Sequence, residues 1–333
     1  MRQPLAVTLQ MTGYVIGNKL RHQKRFPMVL MLEPTLKCNL TCTGCGKVRQ
    51  DAEIMGRMLT VEECLAAVDE AGAPAVSIAG GEPLIHPDFE RIVEGVLQRK
   101  KLTMLCTNGI LIERALKKLR PDPFLTIVFH LDGLSDRHDV LVERKGVFDI
   151  CIEGIKRCKE HGFRVATNTT LYKGTDPGEI AQLFRMLMDI GVDGVIVSPG
   201  FSYEEVGSGA DFFLKRQEAI ALFREIHSKA GDVRYWNTPP FIDFLRGERN
   251  YTCTPWGNPC RDPLGWKGPC YLLTDGRYET FAELMERTPW DEYGYGVNPR
   301  CEKCMAHCGY EPTAVTQMGP REMFQMLRWN LSR

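Results

Sequence analysis

The sequence predicts an α/β protein built on a parallel sheet, and three observations predict it. Six short apolar runs read as strands: "MVLMLEP" (28–34), "AVSIAGGEP" (75–83), "LTMLCTNG" (102–109), "LTIVFHLDG" (125–133), "RVATNTTL" (164–171) and "GVIVSPG" (194–200). Each is rich in Val, Ile, Leu or Thr and closes on Gly, Pro, Asn or Asp. Helical patterns stand between these runs, and near-continuous apolar strands alternating with helices mean a parallel sheet covered on its faces. The polar signals collect just after the strands, where such sheets carry their chemistry.

The helices follow in order. Thr60 begins "TVEECLAAVDEAG" with Glu63 three residues on, a capping box, and Gly72 stops it. Residues 87–100, 147–162 and 177–191 repeat the pattern. Periodicity alone leaves two architectures open, a doubly wound sheet and a complete or partial barrel. After Gly200 a helix pattern covers roughly 211–230, and then Cys, Pro, Gly and Trp become dense. The expected division is an N-terminal amphipathic segment at 1–27, a sheet domain at 28–232 and a small Cys-rich domain at 233–333.

Composition narrows the function. In 333 residues, 44% hydrophobic content supplies a core, and 42 basic against 42 acidic residues give no net field toward nucleic acid. No apolar run reaches the ~18 to 20 residues that span a bilayer. The start, "MRQPLAVTLQMTGYVIGNKL", lacks a continuous h-region and cleavage site. The expectation is a cytoplasmic chain. Its 13 cysteines, an odd number, argue against a disulfide framework and for metal ligands or reactive thiols.

Three of those cysteines, Cys38, Cys42 and Cys45, fall in "CNLTCTGC" just after the first strand. Three thiolates on one loop suit three irons of a [4Fe–4S] cube and leave the fourth iron open. Zinc completed by a remote residue is the alternative, although zinc motifs favour pairs of Cys-x2-Cys. With "GGEP" after the second strand, the pattern resembles the radical S-adenosylmethionine (SAM) enzymes over residues 28–200. The resemblance implies a partial, six-stranded (β/α) barrel of the TIM type, which decides between the two architectures. It also implies that SAM chelates the open iron and is cleaved by one electron to a 5′-deoxyadenosyl radical. Gly80, Gly81, Glu82 and Pro83 would then meet the methionyl amino group. Asn108, Asp132 and Asn168 would give strand-end polar contacts to the cofactor, with Ser198 near the adenine. One departure stands out: Gly46 follows Cys45, where the family often has an aromatic residue.

A second cysteine set comprises Cys253, Cys270, Cys301, Cys304 and Cys308. It resembles the auxiliary-cluster domains of some radical SAM enzymes, implying another [4Fe–4S] cluster. With Cys260 there are more candidates than four ligand places, and a structural zinc or a vestigial site stays open. Cys64, Cys151 and Cys158 lie in helical patterns and read as packing residues. Cys106, at the end of the third strand, is either one more buried apolar residue or a catalytic thiol that gives a hydrogen atom to a carbon radical.

Leu9, Ile16 and Leu20 share one face of the first helical pattern, and Lys19, Arg21, Lys24 and Arg25 follow. Such a helix lies on a membrane surface or docks on the barrel; the tail "REMFQMLRWNLSR" poses the same choice. Finally, "LEPTLKCNLTCTGCGK", "LTVEECLAAVDEAGAPAVSIAGGEPLIH" and "CTPWGNP…CYLL…CEKCMAHCGYE" resemble the radical SAM enzymes of hopanoid biosynthesis. That resemblance implies the triterpene alkene diploptene as substrate, with SAM as co-substrate and a flavodoxin or ferredoxin as electron donor. Two other readings remain: a radical SAM enzyme acting on a peptide or small metabolite, and a non-catalytic metal-binding scaffold.

Overall fold

The computed structural model describes residues 4–202 and 212–331. Of the expected segments, residues 1–3, 211 and 332–333 lie outside the described residues. All six expected strands form: β1 (Val29–Leu32), β2 (Ala75–Ile78), β3 (Leu102–Thr107), β4 (Leu125–His130), β5 (Arg164–Leu171) and β6 (Gly194–Pro199). They pair in parallel with their sequence neighbours. Parallel strands need crossover connections, and helices Val61–Ala71, Phe89–Gln98, Ile112–Lys118, Val147–Glu160 and Pro177–Asp189 provide them. Thr60 and Glu63 form the capping box, and Gly72 ends its helix at φ +61°, where an L side chain is strained. Cys64, Cys151 and Cys158 are fully buried on such helices, as small hydrophobes.

The Cys-rich segment joins the same sheet. β7 (Cys260–Asp262) pairs in parallel with the outer side of β1, and β8 (Gly265–Pro269) and β9 (Thr274–Tyr278) continue antiparallel. The nine strands run β6-β5-β4-β3-β2-β1-β7-β8-β9, so the six-stranded partial barrel carries a C-terminal extension that shares its hydrogen-bond ladder.

Register sets which side chains face inward. Val29, Ala75 and Leu102 lie level, as do Met31, Ser77 and Met104 one layer up. Above them Cys106 pairs with Val128, and His130 with Asn168. These residues line one internal cavity, and because strand side chains alternate, each layer is two residues from the next. The N-terminal helix, Leu5–Leu20, closes the opposite end: Val7 packs on Ala75 and Leu102, and Val15 on Phe26 and Met28. Among the described residues no helix is long and apolar enough to cross a membrane.

Candidate metal and cofactor site

The cavity inside the barrel measures about 560 Å³, within the usual range for small-molecule sites. The structure brings Cys38, Cys42, Cys45, Gly80, Gly81, Glu82, Cys106, Asn108, Asn168 and Ser198 to its wall. Pro83 lies off that wall and starts a short 3-10 turn. Asp132 stands behind the wall. Its carboxylate accepts from Thr170 N at 2.7 Å and lies 2.8 Å from His130 Nε2, so His130 is the residue that faces the cavity at this level.

The cysteine loop is shaped by close backbone approach. A Cβ on Gly44 would fall 2.6 Å from the Tyr172 hydroxyl oxygen, and one on Gly81 would fall 2.2 Å from the Lys37 carbonyl oxygen. Gly80 has φ +105° and would meet the Thr35 carbonyl at 2.4 Å. Glycine is needed at both positions of "GGEP" for this packing. The Gly81 and Glu82 N–H groups donate to Thr35 and Lys37 carbonyls at 2.9 Å each. Among the described residues no hydrogen bond ends on the Gly80 or Gly81 carbonyl, which leaves acceptors for an ammonium group. The Glu82 carboxylate accepts from Leu84 N, Thr107 Oγ1 and Asn108 N at 3.1, 3.0 and 2.8 Å. It latches the end of β2 to the end of β3, and burial raises its pKa to about 7.

The loop is anchored below by a buried ion pair. Lys47 Nζ lies 2.6 Å from Glu33 Oε1 and sits 4.1 Å from the centre of the Tyr271 ring. Burial works against the Lys47 charge, but Glu33 and Cys260 outweigh it and hold the ammonium above its usual range. Losing either partner would strand a buried charge. Burial pushes the Cys38 thiol up to about 11 and the Cys42 thiol higher, and each neighbouring thiolate adds repulsion. Such a group of thiols ionises readily only against a cation. Asn108 Nδ2 donates to Asn39 Oδ1 at 2.7 Å and approaches Cys38 Sγ at 3.8 Å; hydrogen bonds to the sulfurs tune iron–sulfur potentials.

Four polar atoms on the cavity wall, Asn168 Oδ1, Thr238 Oγ1, Asn258 Oδ1 and His307 Nδ1, are buried with no hydrogen-bond partner among the described residues. Orphaned buried polar groups are costly, and a polar ligand such as a ribose would satisfy them. Ser198 Oγ accepts from His307 N at 3.2 Å. Glu311 accepts from Asn237 Nδ2 at 2.9 Å and Thr238 N at 2.7 Å, and burial raises its pKa to about 7. Cys106 lies one strand layer below Asn108, with its sulfur 3.4 Å from Ser77 Oγ. Burial raises its pKa to about 11, so it carries its S–H hydrogen at neutral pH.

The second cysteine set also converges. Cys253, Cys270, Cys301, Cys304 and Cys308 line a separate pocket of about 30 Å³. Cys260 is elsewhere, on β7 beside Glu33 at 3.6 Å. Leu273 N donates to Cys270 Sγ at 3.4 Å, and burial raises the Cys304 thiol to about 12. Among the described residues no three His, Cys, Asp or Glu side chains are grouped for a single ion. A cube spreads its thiolates over separate irons and does not need that convergence.

The comparisons agree with the geometry. Residues 32–187 match the family model described as the radical SAM superfamily. Over that stretch, from the end of β1 to the helix after β5, the chain is similar to the radical SAM superfamily. Residues 195–328 match a model described as a domain of unknown function, DUF3463. The chain is 27% identical over 230 residues to Fe-coproporphyrin III synthase of Methanosarcina barkeri, covering 64% of this chain and 56% of that protein. It is 30% identical over 172 residues to GTP 3′,8-cyclase of Aquifex aeolicus, covering 49% and 54%. The chain thus spans little more than half the length of either relative. SuiB of Streptococcus suis, solved bound to SAM, superposes with a TM-score of 0.58 at 18% identity, over 75% of this chain and 61% of its own; that likeness shows the shared fold. Radical SAM proteins use a [4Fe–4S] cluster and SAM, and the three-cysteine loop with the acceptor carbonyls beside it fits both.

Proposed function

We propose that this protein is a radical SAM transferase that joins the 5′-deoxyadenosyl group to the terminal alkene of diploptene, giving adenosylhopane. The observation that carries the reading is a protonated thiol, Cys106, facing a largely apolar lumen directly below the cysteine loop. Cys38, Cys42 and Cys45 would hold the cluster. When bound, the cluster supplies the electron that cleaves SAM to methionine and the 5′-deoxyadenosyl radical.

The protein's own residues do the rest. The Gly80 and Gly81 carbonyls orient the methionyl ammonium, and Asn168 and His307 receive polar groups of the nucleoside. Tyr172, packed on Gly44, provides the aromatic face that Gly46 does not. The apolar wall, Met31, Met104 and Val128 among it, excludes water from the reacting carbon. Once C5′ is bonded to the terminal carbon, the unpaired electron is left on the adjacent substrate carbon. Cys106 gives that carbon its S–H hydrogen from one side, which sets the configuration. One electron from a flavodoxin or ferredoxin and one proton then restore the thiol.

The test is anaerobic incubation with SAM, dithionite and diploptene, with mass analysis of the product. An adduct of diploptene plus the adenosyl group, one hydrogen added, is expected. Cys106→Ala should leave SAM cleavage within about threefold of wild type while lowering adduct yield or scrambling its configuration; an unchanged product would remove Cys106 from this role. The polar groups Glu311 and His307 on the same wall favour a second reading, modification of a peptide or small metabolite. Under that reading 5′-deoxyadenosine accumulates and no adenosyl adduct forms. Zinc in place of iron and sulfide, with no SAM cleavage, would point to a non-catalytic scaffold.

A further inference from the structure

The floor of the cavity is made by the two ends of the chain. Val7, Met11 and Val15 on the N-terminal helix line it, together with Met323 and Met326 on the C-terminal helix, Pro320–Leu331. These residues sit level with the N-terminal ends of β1–β3, at Val29, Ala75 and Leu102. The cysteine loop is at the other end. The two helices are tied to each other by Asn330 Nδ2 donating to Thr8 Oγ1, and Lys19 Nζ donates to the Met318 carbonyl at 2.8 Å.

The N-terminal helix is apolar on two opposite faces. Val7, Met11 and Val15 recur at intervals of four and face inward. Leu5, Leu9, Ile16 and Leu20 lie about half a turn away and point outward. A second, outward apolar stripe on a helix belongs against other protein or a membrane. Leu9 and Leu20, however, are 57% and 75% exposed, and Phe324 on the neighbouring helix is 61% exposed. Among the described residues nine large apolar side chains are exposed, and five of them fall on these two helices. Arg21 and Lys24, both exposed, flank the stripe with positive charge.

We infer that this face docks on an anionic lipid bilayer and that the two helices form a portal through which an apolar substrate passes from the bilayer into the lumen. The inference rests on the apolar-substrate reading above. Apolar contact combined with basic residues is what an interfacial helix needs to hold an anionic surface. Because the lumen floor and the lipid-facing stripe are opposite faces of one helix, a small displacement of that helix connects the bilayer to the cavity. A hydrocarbon then reaches Cys106 without crossing water, while SAM occupies the opposite, polar end.

Two measurements on the full-length holoprotein test this. The first is sedimentation with phosphatidylcholine vesicles, with and without phosphatidylglycerol. Wild type should bind the anionic vesicles, and the triple variant Leu9→Glu, Leu20→Glu, Phe324→Glu should bind at least about tenfold more weakly, with SAM cleavage by dithionite unchanged. Equal binding of wild type and variant, or a detergent-sensitive dimer that does not sediment with vesicles, overturns the docking surface. The second is binding of the apolar dye Nile red in solution. Met11→Trp, which fills the floor, should reduce dye binding by about tenfold while the thermal midpoint persists. Val7→Trp, one helical turn away, guards against a folding defect at a single site. Unchanged dye binding in both variants overturns the portal. Failure of the substrate reading looks different: vesicle and dye binding behave as described, but diploptene gives no adduct.

Discussion

The two cysteine groups use the same atoms for opposite ends. The first places three thiols on eight consecutive positions, 38–45, at the rim of a cavity of about 560 Å³. The second collects five thiols from residues 253–308 around a pocket of about 30 Å³. One loop can be displaced as a unit and leaves room for an exchangeable ligand. Five thiols drawn from separated segments can be brought together only when those segments are in place, and they leave room for nothing else. In zinc proteins open coordination belongs to chemistry and closed coordination to architecture. The first group should therefore govern turnover, and the second should govern stability.

Cys42→Ser should break the open site with the largest effect. Changes in the residues that merely support metal ligands cost about 10- to 100-fold. Loss of a ligand should take SAM cleavage below about a hundredth of wild type, with the thermal midpoint little moved; 5′-deoxyadenosine yield and circular dichroism read the two. Cys304→Ser is the converse. It should lower the midpoint by several degrees, about 2 to 4 °C per kcal/mol for a large domain, before it lowers SAM cleavage per folded molecule. If Cys304→Ser abolished cleavage in fully folded protein, the division between the two groups would fail.

Gly81→Ala tests how the open site is held. Its Cβ would meet the Lys37 carbonyl oxygen at 2.2 Å, and the loop must give way at a cost of about 1 to 3 kcal/mol. The expected result is weaker SAM binding by calorimetry, with thiol count and iron content retained. The smallest effect concerns pH. His138 is buried, accepts from Asp132 N at 3.2 Å, and has its pKa lowered from 6.5 to about 4, by burial first and by His130 next. Between those values the unfolded chain binds a proton that the folded protein refuses, so stability falls as pH drops from 6.5 toward 4, by about 2 to 3 kcal/mol. His138→Gln should flatten this acid limb in denaturant titrations. An unchanged slope would place the titration on another group.

Much of this was legible in the sequence because strand periodicity and loop spacing are local. The six strands, the capping box at Thr60 and the cysteine loop all follow from residues close together in the chain. The end of β4 was less legible, because His130 and Asp132 in "HLDG" share parity. His130 is the inward residue in register with Asn168, whereas Asp132 lies beyond the end of β4 and turns back to His130. Cys106 shares parity with Leu102 and Met104, which the sequence does display. The Glu33–Lys47 pair was not legible, because nothing local distinguishes a buried lysine from a solvated one. Nor was β7. "CRD" has no apolar alternation, and it becomes a strand only because β1 offers it a free edge.

That last pairing has a consequence for biosynthesis. Until residues 260–262 emerge, β1 presents an uncovered edge, a hazard for sticking to other chains. Until Tyr271 emerges, the Lys47 ammonium lacks the ring that covers it. The loop at residues 38–45 is therefore completed by strands that follow it from residue 260 onward. A ribosome-stalled chain ending before residue 260 should fail to retain iron when reconstituted. Iron retention in such truncations would then report whether residues 260–271 are in place.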